Sequence, residues 1–422
     1  MNTVTVVGLG YVGLPSAALI ANAGYQVHGV DVNAELIKEL NIGDCRLDET
    51  EVKNAVTKAL KSGALIASET PAEADIFIIC VPTPVKNNKP DLTMVTAAIR
   101  AVAPYVSAGN LVILESTSPI GTTQNVVGRA LEEVGLDPKT DVDVCYCPER
   151  VFPGDTIREI LENDRVVGGL TLKAAKRARD FYRSFCKGEP NVTTAASAEF
   201  SKLMENTYRD VNIALANVFS HIAEEAEVDV MDVINMANKH PRVNVHTPGP
   251  GVGGHCIPVD PWFLIDGYPD VTEFLHKARE INDGQAIHFL GRAQAAGLKP
   301  GSKVAILGAA YRGDIDDARD TPTELLIEAL GRAGYSYATH DPHVTRMNTH
   351  CGYPAELTDK LSEALEGAEA AFIMTDHTVY KSLKVQQFAA MKNKLIIDTR
   401  RMIDAEAFLA SGFNVILVGA SS

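Results

Sequence analysis

The chain has little that would take it to a membrane or to nucleic acid. Although 46% of its 422 residues are hydrophobic, no apolar run reaches the ~20 residues that span a bilayer. The start Met1-Asn2-Thr3-Val4-Thr5 lacks the basic region of a signal peptide, so no export signal is expected. A net charge of −15 argues against broad binding to nucleic acid or to membrane surfaces, and an anionic ligand would need local Arg and Lys. Cysteine is sparse and odd in number, with residues 45, 80, 145, 147, 186, 256 and 351 showing no metal-ligand spacing. Cys145 and Cys147 fall on one face of a strand, where packing is the expected role. The acidic cluster of Asp314, Asp316 and Asp317 has no companion ligand set, so no metal is expected. These features fit a cytoplasmic protein in a reducing compartment. The length allows two or three domains.

What is present begins with a nucleotide-binding start. Val4-Thr5-Val6-Val7 reads as a β-branched strand and runs straight into Gly8-Leu9-Gly10-Tyr11-Val12-Gly13. An apolar helix follows to about Ala23, and a second strand ends at Asp31. This is G-x-G-x-x-G in its strand–turn–helix setting. The glycines allow a tight turn and the approach of a pyrophosphate to a helix N-terminus. Asp31 suits ribose hydroxyls and repels a 2′-phosphate, which favours NAD. Buried strands at 75–81 and 111–115 lead into Thr83 and Thr117, at the strand ends where ligands bind in open α/β sheets. Either threonine serves equally well as a plain turn or capping residue. A further strand at 142–146 leads to Glu149 and Arg150.

From about 196 to 228 the pattern changes to one long helix without Gly or Pro. Lys202, Asn206 and Arg209 share a face of it. That face is either solvated, with Glu199–Lys202 and Glu205–Arg209 pairs, or it carries acid/base and water-holding groups. Spacing leaves both open. The segment from Pro248 to Pro261 is dominated by Gly and Pro and holds Cys256. A buried hydrophobe is the usual fate of a lone cysteine. Here the flanking Gly254, His255 and Asp260 point to an accessible, reactive thiol. From Ser302 an α/β pattern restarts, with Gly308 ending its first strand but without a following G-x-x-G. A second layer that does not hold a dinucleotide in the same way is expected.

These motifs, in this order, resemble the UDP-glucose/GDP-mannose dehydrogenase family. The resemblance rests on Gly8 to Pro15, Val81-Pro82-Thr83-Pro84, Glu115-Ser116-Thr117-Ser118-Pro119, Pro148-Glu149-Arg150, Glu199-x-x-Lys202-x-x-Glu205-Asn206, Gly253-Gly254-His255-Cys256 and Asp316 to Pro322. It implies an α/β protein of three parts. These are an N-terminal Rossmann NAD-binding domain at 1–195, a central helical domain with one long helix at 196–298, and a C-terminal Rossmann-like nucleotide-sugar domain at 299–422. It implies NAD-dependent, four-electron oxidation of a sugar C6 alcohol, with the aldehyde captured by Cys256 as a thiohemiacetal and released through a thioester. Lys202 and Asp260 would manage protons, Asn206 would hold an oxyanion or water, and Glu149 would assist hydrolysis.

The same resemblance assigns Gly8, Gly10, Tyr11, Val12, Gly13, Asp31, Thr83, Thr117 and Arg319 to the cofactor. It assigns Arg150, Val151, Lys202, Asn206, Arg209, His240, Arg242, Gly253, Tyr311 and Arg312 to the substrate, with His240 and His255 equally readable as structural hydrogen-bonders. His255 and Val259 depart from the Ser and Lys usual in members acting on UDP-glucose. With Trp262-Phe263 they resemble the branch acting on UDP-N-acetylhexosamines. UDP-N-acetyl-D-mannosamine is the favoured substrate and UDP-N-acetyl-D-glucosamine the alternative. A homodimer or higher homo-oligomer built on the long helix is implied. A two-electron β-hydroxy-acid dehydrogenase would need neither Cys256 nor a third domain, and a non-catalytic nucleotide-sugar binder would need no nucleophile.

Overall fold

The computed structural model describes residues 3–47, 49–151 and 154–420. The chain forms two compact units, one of residues 1–205 with 262–267 and the other of residues 206–261 with 268–422.

The first unit is built on an eight-stranded sheet. Its strands are β1 (Thr3–Val7), β2 (Gln26–Val30), β3 (Leu65–Ser68) and β4 (Ile76–Ile79). A small hairpin, β5 (Val85–Lys86) and β6 (Lys89–Pro90), intervenes. Then come β7 (Leu111–Leu114), β8 (Asp143–Tyr146), β9 (Arg165–Gly169) and β10 (Pro190–Thr194). Their order across the sheet is β10-β9-β8-β7-β4-β1-β2-β3. All neighbours run parallel except β8 and β9. Strands buried on both faces must be apolar at every position, which is why β4 reads Ile-Phe-Ile-Ile without alternation. Successive side chains still part to opposite faces. Ile76 and Ile78 join one core with Val4, Val6 and Leu14, while Phe77 and Ile79 join another with Val7, Val95 and Ile99. The chain leaves β1 for β2 on one side and returns to β4 on the other, so a crevice opens at the carboxyl ends of β1 and β4.

A helix of residues Ala195–Glu225 follows β10 directly. The boundary between the two units falls inside it, after Glu205.

The second unit carries a six-stranded, all-parallel sheet. It consists of β11 (Lys303–Leu307), β12 (Ser336–His340), β13 (Leu357–Thr358), β14 (Ala370–Ile373), β15 (Leu395–Asp398) and β16 (Asn414–Leu417). The order is β13-β12-β11-β14-β15-β16, again with the switch beside the first strand. The helices of the central segment are tied into this unit by buried polar groups. Asp210 and Arg279 form an ion pair with both side chains almost fully buried. Arg292 donates to Leu417 O and Ala420 O, each at 2.8 Å, and to Glu224. The expected architecture of two Rossmann-like sheets and a helical segment with one long helix is present.

Candidate active site

In the first unit β1 ends in a turn that only glycine can make. Gly8 has φ +92°, and a Cβ there would stand 2.5 Å from Cys80 O. A Cβ on Gly13 would stand 1.9 Å from Gly8 O, whereas one on Gly10 would meet nothing within 4 Å. Gly8 thus lets the turn pack against the end of β4, Gly13 lets it close on its own backbone, and Gly10 leaves its outer edge open. That is the cradle a pyrophosphate needs. Asp31 sits half-buried at the end of β2. It accepts from Leu9 N at 2.8 Å and Asn33 N at 2.9 Å. Each carboxylate oxygen keeps capacity for a ribose hydroxyl. These residues fit NAD. Thr83 Oγ1 donates to Thr117 O at 2.6 Å, joining the two strand-end threonines. This bond accords with the turn reading of Thr83 as well as with a place beside the cofactor.

The segment after β8 brings Glu149 to the long helix. Lys202 Nζ donates to Glu149 O at 2.9 Å and to its Oε1 at 3.0 Å, and Val151 N donates to Oε2 at 2.7 Å. Arg150 pairs with Glu205 and donates to Asp164 O at 3.0 Å. Lys202 is 5% exposed and Asn206 7%. The solvated-face reading of this helix is therefore corrected: Glu199 does not pair with Lys202. Its buried carboxylate accepts from Gly121 N at 2.5 Å and from Thr123 N and Oγ1 at 2.7 Å. Burial pushes the Glu199 carboxyl above its ordinary range, against those donors. Glu199 thereby holds the turn that follows Thr117, a role its spacing alone did not reveal.

The second unit holds the thiol. Cys256 is the one exposed cysteine of the seven. By contrast, burial pushes the Cys145 and Cys147 thiols well up, consistent with their packing role. The Cys256 carbonyl accepts from Val259 N at 3.2 Å and Asp260 N at 2.9 Å, so the loop curls directly into the helix that starts at Asp260. Asp260 is 2% exposed and accepts from Asn206 Nδ2 at 2.6 Å. Before the thiol, the side chain of Tyr311 lies across two glycines. A Cβ on Gly253 would be 2.6 Å from Tyr311 Cβ, and one on Gly254, at φ +88°, would be 2.8 Å from Tyr311 Cε2.

Charged groups surround this loop. Arg319 bonds Asp317 through Nε at 2.8 Å and Nη2 at 2.6 Å, and its carbonyl accepts from Gly254 N at 3.2 Å. Burial would raise Asp317, but the Arg319 guanidinium and backbone N–H outweigh it and hold the carboxyl low. Burial, then the charges of Asp317 and Cys256, push the Tyr311 phenol up. Loss of solvation, reinforced by Arg319, lowers His255, leaving a neutral imidazole next to Cys256 in the chain at neutral pH. His240 and Arg242 are exposed after the helix Val230–Ala237. His240 Nδ1 accepts from Arg242 N at 3.4 Å, a structural bond. Arg209 is half-buried.

The second sheet repeats the corner of the first with one difference. Gly308 has φ +108° and donates to His340 O at 2.8 Å, as Gly8 does to Val30 O. Asp341 then stands where Asp31 stands. It accepts from Ala309 N, Ala310 N, His343 N, Val344 N and His377 Nε2, at 2.7–3.0 Å. Five donors leave no room for a ribose. The sequence signal for this was an aspartate closing the second strand of each half.

Fold and site together define a class, the NAD-dependent oxidoreductases that carry a second Rossmann-like sheet after the cofactor-binding one. The chain belongs to the UDP-glucose/GDP-mannose dehydrogenase family, whose NAD binding domain matches residues 2–186, central domain 196–284 and UDP binding domain 305–405. It is 40% identical over 430 residues to a UDP-N-acetyl-D-mannosamine dehydrogenase of Methanococcus maripaludis, covering 99% of this chain and 96% of that one. It is 38% identical over 422 residues to an NDP-N-acetyl-D-galactosaminuronic acid dehydrogenase of Ralstonia nicotianae, covering 97% and 98%. The solved structure of a UDP-D-ManNAc dehydrogenase from Pyrococcus horikoshii superposes with TM-score 0.91 at 39% identity, covering 99% of both chains.

Proposed function

We propose that the enzyme oxidises the C6 alcohol of UDP-N-acetyl-D-mannosamine to the carboxylate, through a thioester on Cys256. The observation that carries the reading is the exposed thiol of Cys256, set in a glycine-built loop that runs into the buried Asp260–Asn206 pair. Bound NAD supplies the hydride acceptor for each of the two oxidations. Lys202 and Asp260 manage the alcohol proton: the Lys202 ammonium donates a hydrogen bond to the alcohol oxygen, and the Asp260 carboxylate, through water, accepts the proton as the aldehyde forms. The Cys256 thiolate then adds to the aldehyde carbon, and its new C–S bond holds the tetrahedral centre while the second oxidation turns it into a thioester. Asn206 donates to the developing oxyanion. Water, oriented by Glu149, attacks the thioester carbon, and the thiolate leaves with its electron pair. One alcohol and one water become one carboxylate, with two hydrides and three protons released.

The substrate assignment is supported by the relatives named above, and the galacto and gluco epimers are the alternatives. Arg209, Arg242 and Arg312 are the charges we assign to the diphosphate. The need for a reduced thiolate supports a reducing cytoplasm as its compartment. Tyr208, Leu215, Phe219 and Ile222 are exposed on one stripe of the long helix, and we infer that a second copy covers it. Light scattering on a size-exclusion column gives the mass of the assembly, and a monomer removes that part.

The test is NADH formed per sugar consumed, with UDP-N-acetylmannosamine, UDP-N-acetylglucosamine, UDP-N-acetylgalactosamine and UDP-glucose in parallel. Two per sugar with the manno epimer alone is expected. One per sugar would remove the thioester, and preference for another epimer would reassign the substrate. No helix among the described residues is long and apolar enough to cross a membrane.

A further inference from the structure

Glu49 has no part in the chemistry above, yet its carboxylate collects donors from two segments that do. Tyr11, in the cofactor turn, donates its hydroxyl to Glu49. From the segment beyond Glu149, Gly154 N donates at 2.9 Å, Thr156 N at 3.1 Å and Thr156 Oγ1 at 2.8 Å. Thr156 Oγ1 also reaches the Tyr11 hydroxyl at 3.2 Å. Thr156 is buried, Glu49 is half-buried and Tyr11 is partly open.

The local role of a residue in this position would be different. Glu49 immediately precedes the helix Thr50–Lys61, but its side chain makes no capping bond to it. The carboxylate instead accepts from the first residue of another helix, Thr156–Glu162. The side chain at that helix's own cap position, Asp155, makes no capping bond and is turned to Arg158. An acidic side chain has thus been withdrawn from the helix it adjoins and spent on a junction between two loops. Hydrogen bonds to an ionised acceptor are the stronger kind, and four donors fix a carboxylate in both position and orientation.

We propose that Glu49 is a positioning residue that ties Gly154 and Thr156, at the start of the helix Thr156–Glu162, to the cofactor turn through Tyr11. This rests on the functional reading above, in which Gly10 and Tyr11 meet NAD and Glu149 and Arg150 serve the nucleotide sugar. The near end of the segment is held by Lys202 on Glu149 and by Glu205 on Arg150. Glu49 holds Gly154 and Thr156, a few residues further along the chain, so a change at the turn is felt near the substrate side.

Tyr11→Phe tests it, because the ring stays while the bond to Glu49 goes and the grip of Glu49 on Gly154 and Thr156 remains. The expected result is a KM for the nucleotide sugar raised about tenfold, the scale of one charge-assisted hydrogen bond, with an unchanged melting temperature. Glu49→Gln, which turns an amide N–H toward the donors, should move the same constant in the same direction. A rise in the NAD KM alone overturns the proposal, since the hydroxyl would then serve only the cofactor. A lowered melting temperature with both KM values unchanged also overturns it, leaving a brace for the fold. If the wild-type protein oxidises none of the nucleotide sugars, the functional reading fails separately. The link is then read from NAD binding to Thr156→Val by calorimetry. About tenfold weaker binding supports it and unchanged binding refutes it.

Discussion

Gly254→Ala places a methyl group two residues before Cys256, the proposed nucleophile, and the structure sets the scale of its effect. The backbone there has φ +88°, where a residue with a Cβ pays about 1–2 kcal/mol. The new atom would lie 2.8, 3.0 and 3.2 Å from three ring carbons of Tyr311. Forcing a methyl into such a contact costs about 1–3 kcal/mol, so the two together come to roughly 2–5 kcal/mol. Gly254 is buried against the Tyr311 ring, so the contact is relieved by movement of the loop, and the exposed thiol two residues on moves with it. Displacement of a reacting group by about 1 Å costs on the order of a hundredfold in rate. The assay is kcat from NADH absorbance, read beside the alkylation rate of Cys256 and the NAD dissociation constant. The expectation is a kcat down about a hundredfold, altered thiol reactivity and unchanged NAD binding. A variant with kcat within about twofold of wild type, an energy change under ~0.5 kcal/mol, would show that the glycine–tyrosine contact does not place the nucleophile.

Cys256→Ser should abolish formation of the carboxylate while NAD affinity stays at the wild-type value, and turnover at two NADH per sugar would remove the covalent route. Asp341→Asn should lower stability by about 2–4 kcal/mol near neutrality, because one amide group must then face backbone N–H donors. Burial tends to raise the Asp341 carboxyl, but His377 and the backbone donors outweigh it and hold it below its ordinary range. Folded Asp341 therefore binds fewer protons than the unfolded chain does. Its contribution is complete above the unfolded pKa of ~3.9 and is lost as pH falls through the folded value. Urea midpoints for the two proteins should stay apart from pH 7 down to about 4 and converge only as the pH falls further, and a gap that stays constant below pH ~4 would show that the carboxylate charge is not the source.

Much of the first sheet was legible because burial on two faces leaves no freedom of composition. Ile76–Ile79 and Leu111–Leu114 can only be interior strands, and Gly8 and Gly13 can be nothing but glycine. The thiol was legible because a segment so rich in Gly and Pro cannot continue a helix or strand; residues 248–252 and 254 are buried, and His255 and Cys256 stand exposed beyond them. The environment of Lys202 was not legible. Its helical face looks the same whether Glu199 turns to Lys202 or inward to Gly121 and Thr123, and only the packing of the helix on the strand ends decides. Glu49 left no local sign either, because its partners lie 38 residues before it, at Tyr11, and 105 and 107 residues after it, at Gly154 and Thr156. Its position before a helix suggests a cap that it does not make.

The paired corners at Asp31 and Asp341 bear on what can be redesigned. An acid with five donors is part of the framework, so the second half cannot be given a dinucleotide site by restoring glycines to its turn. Asp31 is only partly committed, yet its bond to Leu9 N also shapes the fingerprint turn. The carboxylate that the sequence assigns to the ribose therefore also carries the geometry of the turn. Substitutions that admit a 2′-phosphate by removing Asp31 will weaken the grip on every dinucleotide unless the new side chain still accepts from Leu9. Serine or asparagine, each with an acceptor oxygen close to the backbone, are the replacements that meet both demands.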